Sequence, residues 1–225
     1  MCNLYSITKG QAAIREIAAV MSDRVGNLAP QPAIFPDQEA PVIRKGEAGR
    51  ELVTMRWGMP SPQFVLKNRK TDPGVTNIRN LGSPHWRRWL GIEHRCLVPF
   101  TSFSEYRIET DKSRTPVWFA RGEDRPLTFF AGIWTRWTSV RKVKEGEIEA
   151  DLYGFLTTEA NATVGAIHPK AMPVILTEPE EWETWLTAPF EDARALQRPL
   201  PDDVLSIVAE GARHDAADSA SSAGM

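Results

Sequence analysis

Cysteine is nearly absent from this sequence: Cys2 and Cys96 are the only two in 225 residues. Two cysteines do not make a disulfide framework, so a reducing, cytoplasmic setting is expected. No apolar run approaches the ~20 residues that span a bilayer, which excludes a helical membrane protein. The start, Met1-Cys2-Asn3-Leu4-Tyr5-Ser6, has no basic segment followed by an apolar one, so no signal peptide is expected. An excess of one charge is also missing, since 27 Lys and Arg face 29 Asp and Glu for a formal net charge of -2. That balance disfavours a protein that coats duplex DNA by bulk electrostatics, but it leaves room for a small basic groove. There is no Gly-rich phosphate loop and no Cys or His pair at zinc spacing, so neither a cofactor nor a metal is expected. His85 and His94 have no identifiable ligand partners, and a lone surface histidine is the commoner state.

What remains is ordinary for a globular chain: 42% hydrophobic and 25% charged residues. That is ample for one large core. The 8 Trp and 9 Phe could stack on bases, although core packing accounts for most such residues.

Local patterning alternates between the two periods. Thr8 to Gln11 fits a capping box, followed by Ile14, Ile17, Ala18 and Met21 at helical spacing and Gly26 beyond the end. Residues 41–44 and 51–57 are β-rich and joined by Glu47-Ala48-Gly49-Arg50, a hairpin turn. Ser83-Pro84 predicts a short helix carrying Trp86, Trp89 and Leu90. Strands are predicted over 95–100, 116–120, 127–134 and 152–158. Arg141 to Lys144 faces Glu145, Glu147 and Glu149 across Gly146, which predicts a solvated hairpin of opposed charges. Thr177 to Glu180 predicts a second capped helix, with Trp182, Trp185 and Leu186. No repeat or low-complexity stretch interrupts the chain before 208. A single α+β domain over 1–208 with a β-rich centre is expected, followed by a disordered tail over 209–225 rich in Ala, Ser, Asp and Gly.

Cys2 stands out by position. Removal of Met1 would leave a residue with a free α-amine and a thiol on adjacent carbons. An α-amine titrates near ~7.7–8.0, so a nucleophilic fraction exists at neutral pH. The amine can condense with an aldehyde and the thiol can then close a five-membered thiazolidine. A lysine would stop at the imine, and an internal cysteine has no amine. A cysteine after the start methionine is nevertheless usually incidental. Other polar candidates carry equally plain alternatives. Asn77 and Arg79 follow the turn Asp72-Pro73-Gly74 and fit either a sugar contact and a phosphate fork or a turn Asn and a surface Arg. Glu105, in Phe103-Ser104-Glu105-Tyr106, fits a partly desolvated proton carrier or an exposed strand residue. His168, before Pro169, fits an acid/base group or a satisfied half-buried histidine.

Taken in order, Met1-Cys2, Asn27-Leu28-Ala29-Pro30, Arg56-Trp57-Gly58-Met59-Pro60, Asn77-Ile78-Arg79, Cys96-Leu97-Val98-Pro99, Phe103-Ser104-Glu105-Tyr106 and His168-Pro169-Lys170-Ala171-Met172-Pro173 resemble the SRAP family, also called abasic site processing proteins. The resemblance covers residues 2 to 208. It implies a barrel-like β core with peripheral helices and a basic channel for single-stranded DNA bearing abasic sites. It implies an autopeptidase-type hydrolase with crosslinking, lyase-like Schiff-base chemistry, serving DNA damage repair in the SOS response, and a monomer is assumed. Residue by residue, it implies Cys2 as the crosslinking group and Asn77 as the orienter of the sugar. Glu105 becomes the proton carrier in Met1 release, and His168 the group that assists ring opening. Arg79 and Arg87 become phosphate contacts, joined by Lys170, with Pro30 on the channel wall. Several positions depart from the family pattern. Asn3-Leu4 stands where Gly-Arg is common, and Asn80-Leu81 replaces the end of Asn-x-Arg-x-Glu. Lys170 replaces an Arg, Ala171 is an extra residue, and Phe64 is the nearest candidate for a missing aromatic wedge. Two rival functions stay open: an N-terminal-nucleophile amide hydrolase, and a non-catalytic single-strand binder.

Overall fold

The computed structural model describes residues 2–215. It contains fourteen strands: β1 Tyr5–Ile7, β2 Ser22–Asp23, β3 Gln31–Ile34, β4 Glu39–Gly46, β5 Gly49–Trp57, β6 Asn77–Ile78, β7 Arg95–Phe100, β8 Ser102–Ile108, β9 Arg114–Ala120, β10 Thr128–Val140, β11 Glu147–Thr158, β12 Met172–Pro173, β13 Ile175–Leu176 and β14 Ser206–Glu210. The helices are α1 Gln11–Ile17, α2 Gln63–Leu66, α3 Pro84–Arg87, α4 Ala162–Gly165, α5 Pro179–Thr187 and α6 Phe190–Ala193. No helix among the described residues is long and apolar enough to cross a membrane.

Five strands close on themselves. β11 pairs with β10, β10 with β7, β7 with β4 and β4 with β5, all antiparallel. The parallel pairing of β5 with β11, Leu152 opposite Arg56 and Tyr153 opposite Trp57, completes the ring. Closure removes the unpaired edges that an open sheet would present to other chains. A second sheet, ordered β14-β9-β8-β1-β3, packs alongside. The α+β, barrel-like architecture expected from the sequence is therefore the one found.

The interior is aromatic. Phe100 stacks on Phe130 at 3.8 Å, and Trp57 stacks on Phe155 at 5.2 Å. Tyr5 inserts from β1, with edge-on contacts to Trp57 at 5.1 Å and Phe130 at 5.8 Å. Its hydroxyl meets that of Tyr153 at 2.5 Å. Large buried rings with a satisfied polar handle fix a segment firmly, and here that segment leads directly to Cys2.

Four local expectations change. The Thr8 box does not form: Thr8 bonds Thr101 through its amide (3.0 Å) and hydroxyl (3.1 Å), while Gly10 occupies the cap of α1. That helix ends at Ile17, which leaves Met21 71% exposed beyond it. The cap of α5 lies one residue later than expected, at Glu178, where Glu181 accepts from the amides of Thr177 (2.7 Å) and Glu178 (3.3 Å). Arg141 is not a solvated hairpin charge. It is buried and donates to the carbonyls of Asp72 and Gly58, whereas Lys142 does pair with Asp37 and Glu145. The guanidinium lies against Gly58 (φ 135°) and Gly74 (φ 73°), where any Cβ would collide with it.

The chain beyond 208 also has structure up to the end of the described region. The boundary placed after 208 falls inside β14, which pairs with β9. Asp215 is buried and accepts hydrogen bonds from Ser102 (2.5 Å), Ser6 (3.4 Å) and Arg125 (3.0 Å). The rest of the expected tail, 216–225, lies outside the described residues.

Candidate functional site

The two sheets deliver different halves of one site. β1 and β8 pair with Tyr5 opposite Phe103, and the Ser104 amide donates to the Leu4 carbonyl at 2.8 Å. This sets Cys2, three residues before Tyr5, beside the β8 residue Glu105. From the barrel, β6 pairs in parallel with β11, Asn77 opposite Phe155. β11 then runs into α4, capped by Asn161, whose side-chain oxygen accepts from the Val164 amide at 3.0 Å. His168 follows, its amide bonded to the Val164 carbonyl at 2.8 Å. Strand pairing and one capped turn therefore hold all four groups, with no long flexible loop between anchor and side chain.

The contacts are direct. Asn77 Nδ2 donates to the Cys2 carbonyl at 2.8 Å and to Thr76 Oγ1 at 2.8 Å. Thr76 in turn donates to Asn3 Oδ1 at 3.1 Å. Asn77 Oδ1 is buried and accepts no hydrogen bond from a described residue, so one strong acceptor beside Cys2 stays open. His168 Nδ1 lies 3.9 Å from Glu105 Oε2. Asn3, Glu105, Tyr106, Ile108, Arg114 and His168 line a cavity of about 280 Å3 at this point.

Electrostatics follow burial. Glu105 is 3% exposed, and loss of hydration lifts its carboxyl from 4.5 to about 7. It is therefore poised to give or take a proton near neutral pH. Burial also lowers the His168 pKa, helped by the Lys170 charge, which favours a neutral ring. The Cys2 side chain is 1% exposed; burial first, then the Glu105 charge, push its thiol far up. Its sulfur is 3.5 Å from the Leu4 carbonyl.

The residues expected to grip DNA lie elsewhere. Arg79 and Arg87 share a different, larger cavity of about 800 Å3 with Phe190 and Arg194. Arg79 is already engaged, donating to the carbonyls of Thr158 (2.7 Å) and Lys170 (3.1 Å). Arg87 donates to Gly82 at 3.1 Å. Lys170 and Pro30 are both exposed, Pro30 just before β3. Phe64 is 80% exposed on α2 and does not line the Cys2 cavity. The exposed apolar residue that does is Ile108, 71% exposed, with Arg114 directly across the hairpin. The sequence reading missed both. Nothing in the sequence of 102–120 shows that the far end of this hairpin lines the same cavity as Asn3 and Glu105. Among the described residues no three His, Cys, Asp or Glu side chains group to hold a metal ion. His85 and His94 bond the carbonyls of Pro60 (2.9 Å) and Trp134 (3.1 Å).

Known proteins resemble this chain in sequence and in fold. The family model for SOS response associated peptidase matches residues 1–209. The abasic site processing protein YoqW of Bacillus subtilis is 29% identical over 177 residues, 76% of this chain and 73% of that protein. YoaM of the same organism, also described as an abasic site processing protein, is 29% identical over 166 residues, 72% of this chain and 67% of its own length. A crystal structure of a Bacteroides thetaiotaomicron protein superposes with a TM-score of 0.70 at 26% identity, covering 91% of this chain and 90% of that one. One from Bordetella bronchiseptica gives 0.68 at 25% identity, covering 93% and 98%. With the barrel, the convergence on Cys2 and a family match over nearly the whole described chain, the protein belongs to the SOS response associated peptidase (SRAP) family.

Proposed function

We propose that this protein processes abasic sites in single-stranded DNA by forming a covalent bond to them through Cys2, once Met1 has been removed. The observation that carries the reading is the grouping at one chain end. Asn77 holds the Cys2 carbonyl, and the Glu105–His168 pair faces a small cavity alongside. Relatives described as abasic site processing proteins support the substrate.

Met1 release is hydrolysis of the Met1–Cys2 amide: water adds, methionine leaves, and the α-amine of Cys2 is exposed. Glu105, with a pKa near neutrality, serves as the base that draws a proton from the attacking water and returns it to the departing nitrogen. An abasic sugar then enters the cavity. His168 shifts a proton to open its ring to the aldehyde, and the open acceptor on Asn77 receives a sugar hydroxyl. The amine attacks the aldehyde carbon and water leaves, giving an imine. The thiol adds across the C=N bond, its proton passing to nitrogen, and the thiazolidine ring closes. Burial keeps the thiol protonated, so the amine reacts first. Holding amine, thiol and aldehyde together supplies rate as effective concentration, worth up to ~7–11 kcal/mol in well-oriented systems. Arg79, Arg87 and Lys170 would hold backbone phosphates along the strand without reading sequence.

Intact-mass measurement after incubation with an abasic single-stranded oligonucleotide tests this. Protein shown to lack Met1 is expected to gain the mass of the oligonucleotide less one water. The Cys2→Ala variant is expected to bind the strand with similar affinity and form no stable adduct. Absence of any adduct from the Met1-free native protein would overturn the proposal.

A further inference from the structure

The cavity beside Cys2 is lined by two acid/base groups, Glu105 and His168, by the Tyr106 phenol, and by one permanent cation, Arg114. The first two have proton-transfer roles in the mechanism above, which gives Arg114 nothing to do. Arg114 opens β9, is exposed, and pairs in register with Ile108 at the far end of β8. It makes no side-chain hydrogen bond or ion pair with any described residue. Lys170, whose charge reaches His168, does not line the cavity, and two other arginines are paired. Arg107, on the same hairpin, pairs with Glu109 (3.1 Å) and Glu210 (2.5 Å), and Arg125 with buried Asp215 (3.0 Å). The chain start offers no cationic side chain to replace it, because Asn3 is neutral and Leu4 is buried in the core. A guanidinium left unpaired at the mouth of a cavity fits a ligand that offers two oxygens sharing one negative charge, such as a phosphodiester.

We propose that Arg114 binds a DNA phosphate flanking the abasic sugar that occupies the Cys2 cavity, and so sets the depth to which the sugar enters. The β8–β9 hairpin thereby forms one wall of the strand's path, separate from the wall that carries Arg79 and Arg87. The assignment rests on the abasic-site reading, but it concerns binding and not bond formation.

The test uses the full chain and a fluorescent single strand carrying a tetrahydrofuran abasic analogue, which cannot react. Arg114→Gln is expected to weaken binding about tenfold, the loss of one charge-assisted hydrogen bond. It is also expected to reduce the slope of log affinity against log salt by about 0.7, the signature of one phosphate contact on a single strand. Arg114→Lys should restore the salt slope but only part of the affinity, because an ammonium keeps the charge and loses the fork. Replacing the flanking phosphate by a neutral methylphosphonate should weaken the native protein and leave Arg114→Gln unaffected. Unchanged affinity and salt slope in Arg114→Gln, or additive losses from the variant and the methylphosphonate, would refute the assignment. Adduct formation by the native protein on a true abasic strand is followed in parallel. If that fails while the binding results hold, the crosslinking reading falls and Arg114 remains a phosphate contact.

Discussion

Burial of Glu105 ties both stability and chemistry to pH. Its carboxyl ionises at about 7 in the folded chain against 4.5 when solvated, so the folded state holds the proton more tightly. Folding stability from this group is full below 4.5 and is lost as pH rises through 7. Glu105→Gln should remove that loss. Urea titrations are expected to find the variant more stable than the native chain by about 1–3 kcal/mol at pH 8 and close to it at pH 4.5. An equal difference at both values would mean that Glu105 is not the titrating group. The same variant should lose Met1 slowly, because an amide cannot accept a proton from water.

At the scale of elements, the β10–β11 hairpin is locked by its own first turn residue. Arg141 fills the space above Gly58 and Gly74 and satisfies carbonyls of the segment leading to β6 and Asn77. Its guanidinium also lies 3.7 Å from both Asp37 and Asp72. Removing one partner of a buried charge cluster leaves the others unpaired, so Arg141→Ala should cost about 3–5 kcal/mol in chemical denaturation. A cost below 1 kcal/mol would show that the cluster is solvated in solution. The sequence put this residue among surface charges because Arg-Lys-Val-Lys beside three glutamates has the composition of an exposed turn. Nothing in the spacing shows that two glycines far upstream leave a slot of that shape.

Across the whole molecule, the last described residues clamp the strand that leads to the site. Asp215 bonds Ser6 on β1 and Ser102 on β8, the two strands that bring Cys2 and Glu105 together. It also pairs with Arg125, and its backbone amide donates to Pro32 at 2.8 Å. Asp215→Ala should therefore lower stability by about 3 kcal/mol through the uncompensated Arg125. It should also slow adduct formation by the Met1-free protein more than it weakens strand binding. Native-like unfolding and kinetics in this variant would remove the clamp from the account.

Family membership and local elements, which need only identity and order, were legible in the chain. A cysteine behind the initiator, the ordered motifs from Cys2 to Pro173, the strands at 95–100 and 152–158 and the Ser83-Pro84 cap are all local facts. Period-2 alternation and capping act over a few residues, so they can be read without a fold. The α+β domain with a β-rich centre followed from the same patterns, while the barrel-like core with peripheral helices was implied by the family resemblance. Closure of the ring by the parallel β5–β11 pair did not, because it joins segments about a hundred residues apart. The meeting of Cys2 with Asn77, Glu105 and His168, the burial that moves the proton affinities of the three titratable groups, and the placing of Arg114 rather than Arg79 at the cavity depend likewise on pairings between segments distant in sequence. Proton affinity and proximity are set by which surfaces lose water together, and only the tertiary structure decides that.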